Sequence, residues 1–126
     1  MVVKTKDTVS EKQAAGYFWR IFEMNAVPVV IWGHDGHIYH ANNAFLDMLG
    51  YSRKEFEQGK INWHALTPPG FERLDNRCIE QLRNEEIATP FEKQYIRKDG
   101  TRIDVRLFNA VLDPADQLGI GIIIPV

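Results

Sequence analysis

Cys78 is the one thiol of this 126-residue chain, and His34, His37, His40 and His64 are its four imidazoles. Nucleophilic or metal chemistry would have to start from these residues. A nucleophile needs a base beside it and a third group to orient that base, and no such set is present. One cysteine allows no internal disulfide and forms no metal-binding cluster, which suits a reducing compartment; the expectation is a cytoplasmic protein. His34, His37 and His40 crowd one hairpin, but residues three apart on a strand point to opposite faces, so the group reads as solvated and not as a shared metal site. Glu85-Glu86 reads as a solvated loop, and Gly119-Ile120-Gly121 lacks the following glycine-rich helix start of a phosphate cradle. Arg97, Lys98, Arg102 and Arg106 surround a second hairpin, where solvated, edge-protecting charges are the expectation. Asn109 stands apart, an amide sharing a strand face with Ile103, Val105, Leu107 and Val111. A buried amide needs partners, which a ligand, neighbouring backbone or bound water could supply. A bulge in this strand would instead turn Asn109 outward and Phe108 inward.

The elements that must position these residues are legible from spacing. Val27-Pro28-Val29-Val30-Ile31-Trp32, then Asp35-Gly36, then His37 to Ala41 reads as strand, two-residue turn, strand. Asn42 or Asn43 caps a helix through Phe45, Leu46 and Leu49 that Gly50 closes. Earlier, Ser10 with Gln13 is a capping box opening a helix toward Met24, with Ala14, Phe18, Ile21 and Phe22 at helical spacing and Tyr17 and Trp19 widening the apolar surface. That surface packs on its own domain or docks a second copy of the chain. Ser52 with Glu55 is a second capping box, for a short helix ending at Gly59, and Asn62 to Leu66 is a single turn. Thr67 as cap and Pro68 at the first position predict a helix from about Pro69 to Arg83, with Phe71, Leu74, Cys78 and Leu82 on one face. Strands follow at Phe91 to Arg97, Arg102 to Val111 and Leu118 to Ile124, separated by turns at Lys98 to Thr101 and Asp113 to Asp116.

Fifteen Lys and Arg against seventeen Asp and Glu, a net charge of −2, give no bulk attraction to nucleic acid or anionic membrane. No apolar run approaches the roughly 20 residues of a membrane span, and Met1 to Lys12 is too polar for a signal peptide. The organisation expected is a flexible segment at 1–9, an amphipathic helix at 10–25 and a single folded domain at 26–126.

In family order, these pieces resemble a PAS domain, the small sensory module of bacterial signalling proteins. The resemblance rests on Val27 to Ile31 with Asp35-Gly36, Asn42 to Phe45, Leu49-Gly50-Tyr51-Ser52 with Glu55, Trp63 to Pro68, and Pro90 to Gly100. It implies an α+β fold: a five-stranded antiparallel sheet in the order 2-1-5-4-3, with short helices and one longer helix enclosing a small cavity on one face, and the N-terminal helix in addition. Trp63, Leu74, Cys78, Tyr95, Asn109 and Ile122 are the candidate lining residues of that cavity. Similar domains are switches, not enzymes, and bias a linked output such as a histidine kinase or cyclic-dinucleotide enzyme. Pro125-Val126 stand where the family often begins an Asp-Ile-Thr motif that couples the sheet to the next linker. Cys78 in Asn76-Arg77-Cys78-Ile79 is placed too late for a photoactive flavin thiol and reads as a small buried hydrophobe. The long helix offers no axial histidine for haem, and His64 beside Trp63 reads as a packing or capping residue. A noncovalent flavin or small metabolite remains compatible with these residues. The first reading is therefore a ligand-sensing module relaying to an output domain, and the alternative is a cofactor-free module that dimerises through the N-terminal helix.

Overall fold

The computed structural model describes residues 10–126, so the expected flexible segment at 1–9 lies outside the described residues. Ten elements follow in order: α1 (Glu11–Glu23), β1 (Val29–Gly33), β2 (Ile38–Ala41), α2 (Asn43–Leu49), α3 (Arg53–Glu57), α4 (Trp63–Leu66), α5 (Glu72–Asn84), β3 (Phe91–Ile96), β4 (Arg102–Asp113) and β5 (Leu118–Pro125). The five strands form one antiparallel sheet in the order β2-β1-β5-β4-β3, so the last strand in sequence is the central one. β1 is buried along its whole length. Val30 and Trp32 face the core beneath α2 to α5, while Val29 faces the opposite side, where α1 lies. Alternation then sets the inward face of the other strands: Lys93 and Tyr95 on β3, Val105, Leu107 and Asn109 on β4, and Gly119, Gly121 and Ile123 on β5.

Both capping boxes form, Ser10 with Gln13 and Ser52 with Glu55, and Asn42 caps α2, which Gly50 ends at φ 84°. Two local expectations change. The β1–β2 connection is wider than a two-residue turn. Gly33 N–H donates to the His37 carbonyl and the Asp35 carboxylate accepts from His37 N–H, so residues 34–36 lie in the loop and Gly36 alone takes a positive φ, 98°. A side chain at Gly36 would also strike His64 and Asn62. The long helix begins at Glu72, not near Pro69. Residues before proline are held extended, so Pro68 keeps Thr67 extended at φ −95°, ψ 122° as the end of α4, and Pro69 keeps Pro68 out of a helix in turn.

The basic hairpin residues divide. Arg106 and Arg102 are exposed, reaching Glu92 and Gln94 across the strand pair. Arg97 and Lys98 instead tether the β3–β4 hairpin to the helical wall, through Arg97 Nε to the Met48 carbonyl at 3.2 Å and Lys98 Nζ to Glu55 at 2.8 Å. The Lys98 hydrogen bond, with the Ser52 backbone N–H, holds the Glu55 carboxyl down at about 2.

Candidate functional site

The inward faces of β1, β3, β4 and β5 and the apolar sides of α2, α4 and α5 enclose a cavity of about 30 Å³. Three of its polar side chains form a chain of hydrogen bonds. Trp32 Nε1 donates to Asn109 Oδ1 at 3.1 Å, and Asn109 Nδ2 donates to Cys78 Sγ at 3.6 Å. Asn109 therefore finds side-chain partners on β1 and α5. Burial pushes the Cys78 thiol up to about 11, which keeps it protonated and a poor nucleophile.

The second cluster escaped the sequence reading. Lys93, 3 % exposed, bonds Asp75 Oδ1 at 2.8 Å and Thr67 Oγ1 at 2.9 Å, and its ammonium lies 5.2 Å from the Trp63 ring centre and 4.9 Å from that of Tyr95. Burial lowers the Lys93 ammonium from its usual range, with Asp75 pulling it back, and burial likewise raises the Tyr95 phenol. Both charges were signalled by position. Lys93 alternates with Phe91 and Tyr95, and Asp75 precedes Cys78 and Leu82 at helical steps of three and four.

Of the six candidate lining residues, Asn109, Trp63, Cys78 and Tyr95 meet at the cavity. Leu74 and Ile122 do not. Leu74 borders a surface cleft outside α5, and Ile122 points through the opposite face of the sheet, because the inward register of β5 belongs to Gly121 and Ile123. His34 corrects the reading of a solvated hairpin cluster: both its ring nitrogens are buried without a partner, and burial lowers its basicity. His64 is exposed and stacks on Trp63 at 3.9 Å. No histidine lines the cavity, and no metal-binding group occurs among the described residues. A volume of about 30 Å³ holds a water or two, so neither a flavin ring system nor haem fits this interior.

The outer sheet face is built differently. A groove of about 410 Å³ runs between α1 and the sheet, bordered by Phe18, Ile21, Phe22, Val29, Phe108 and Ile122. Ile21 is 60 % exposed, Phe108 41 % and Ile122 39 %.

A central β5, a helical wall over one face and a small interior cavity define a two-layer α+β module. A family model described as PAS domain matches residues 26–124, and the chain belongs to that family. It is 34 % identical over 97 residues to the hybrid signal transduction protein dokA of Dictyostelium discoideum, covering 77 % of this chain and 6 % of that protein. A domain of a sensory box sensor histidine kinase/response regulator from Geobacter sulfurreducens superposes with a TM-score of 0.72 at 20 % identity, covering 90 % of this chain and 96 % of that one. The PAS domain of a Colwellia psychrerythraea protein gives the same TM-score, 0.72, at 18 % identity, covering 90 % and 97 %. PAS domains are sensory modules, so this is not a catalytic domain. No helix among the described residues is long and apolar enough to cross a membrane.

Proposed function

We infer that this PAS domain is a regulatory module working through its outer face: two copies pair by α1 and the exposed sheet groove, and the pairing geometry is relayed to a linked output domain. The observation that carries this is the contrast between the two sides of the sheet. The interior leaves only about 30 Å³, with Trp32 bonded to Asn109 and Lys93 to Asp75, whereas Ile21, Phe108 and Ile122 stand exposed around one apolar groove. Contiguous exposed apolar surface marks an interface, and a two-fold arrangement lets the same helix and groove serve both partners. The sensor-kinase and hybrid signalling relatives support a histidine kinase as the linked output. The ligand-sensing alternative requires the interior to open first.

Sedimentation equilibrium tests the pairing. The unaltered chain is expected to sediment as a dimer at micromolar concentration, and Ile21→Asp or Ile122→Asp, both at exposed positions, to weaken association by at least about tenfold, the equivalent of ~1.4 kcal/mol. A dimer unmoved by both substitutions, or a monomeric parent chain, rejects this interface.

A further inference from the structure

We propose that Trp32 is the resident occupant of the PAS interior, masking a site shaped for a planar aromatic heterocycle that carries a ring N–H. Two successive inward positions of the central strand β5 are glycines, so the sheet has a side-chain-free floor there. The Trp32 indole lies on that floor. A Cβ on Gly119 would come within 2.5 Å of Trp32 Cζ2, and one on Gly121 within 3.5 Å of Trp32 Nε1 and 2.6 Å of Asn109 Oδ1. The indole N–H is bound by Asn109 at 3.1 Å, and the Trp63 ring meets the indole edge to face at 5.7 Å. A flat floor, an aromatic edge and one aimed acceptor are what a free heterocycle of this size would require, and none depends on the indole being attached to β1. With the indole in place only about 30 Å³ is left. Trp32 also sits where the β1–β2 ladder shifts register, between Ile31 and Trp32, and beside His34, whose ring lies 5.5 Å away with both nitrogens unpartnered. The backbone that carries the indole is thus the least regular part of β1.

The inference concerns the interior and does not rest on pairing through the outer face. Truncating a buried aromatic leaves an apolar cavity that takes up ligands of matching shape. Trp32→Ala is therefore expected to bind added indole, raising its unfolding midpoint by about 3 °C or more at saturating concentration, while the unaltered chain shows no shift. Benzothiophene has the same outline without the N–H, and is expected to bind Trp32→Ala about tenfold more weakly, since Asn109 then lacks its donor. A folded Trp32→Ala that ignores indole, equal binding of the two probes, or indole uptake by the unaltered chain with Trp32 in place overturns the proposal. Should Trp32→Ala fail to fold, hydrogen exchange of the indole N–H groups in the unaltered chain decides. The Trp32 signal is expected to persist long after that of exposed Trp19 has gone, and equal exchange rates reject a Trp32 sealed against Asn109.

Discussion

Lys93 and Asp75 are opposite charges enclosed among Trp63, Tyr95 and Cys78, and at that depth their attraction is offset by the water each has lost. Removing one partner is worse than removing both, because the survivor stays buried and uncompensated. Lys93→Met, which keeps the length of the side chain, is expected to lower the free energy of unfolding in urea by about 3–5 kcal/mol. Adding Asp75→Leu to it is expected to restore most of that loss. Additive losses in the double variant would mean the two groups are not coupled. Such coupling was hidden in the sequence because its halves lie eighteen residues apart, on α5 and β3. A lysine between Phe91 and Tyr95 reads as edge charge until α5 is known to lie over it. Asn109 was visible as an odd amide on an apolar face, but its partners Trp32 and Cys78 come from other elements and no local pattern announces them.

At the scale of elements, Asn42 does more than cap a helix. Its Oδ1 accepts from Phe45 N–H at 3.1 Å and from Val29 N–H at 3.0 Å, and its Nδ2 donates to the Phe22 and Val27 carbonyls at 3.1 and 2.8 Å. One fully buried side chain thus pins α2, the start of β1 and the end of α1 together. A cap alone contributes about 1 kcal/mol, and stranding buried backbone groups adds about 1–3 kcal/mol more, so Asn42→Ala is expected to cost ~3 kcal/mol in denaturant unfolding. Asn42→Ser, which keeps an oxygen for the cap, should recover about 1 kcal/mol of this. A loss confined to the size of a cap would show that the joints to α1 and β1 carry no weight. The cap itself was legible, since capping is chemistry between neighbours in sequence, as it is at Ser10 and Ser52. The joint to Phe22 was not, because it depends on how the chain returns. The same distinction explains β5: Leu118 to Ile124 is apolar on both faces, so hydrophobicity could not assign Ile122, whereas the glycines mark the side on which Trp32 lies.

Across the whole molecule, strand order came from family resemblance, because alternation within strands says which side faces in but not which strands are neighbours. What the assembled fold adds is a division of labour. The buried hydrophobic cluster runs from Val30 to Ile123 and includes no residue of α1, which is held at its far end by buried Phe22, the Asn42 bond and an edge contact of Trp19 with His40 at 5.1 Å. A part attached this way can change its packing without melting the rest, which is what the proposed relay to a linked output would require. A chain beginning at residue 26, where the family match starts, is therefore expected to fold cooperatively. Its near-ultraviolet circular dichroism from Trp32 and Trp63 should be retained, and its unfolding midpoint lowered by only a few degrees, about the loss of 1–2 kcal/mol. With Phe108, Ile120 and Ile122 uncovered, it should also bind a hydrophobic dye more strongly than the parent and sediment as a monomer. Loss of cooperative unfolding on removing residues 1–25 would place α1 inside the folding unit and count against the proposed relay.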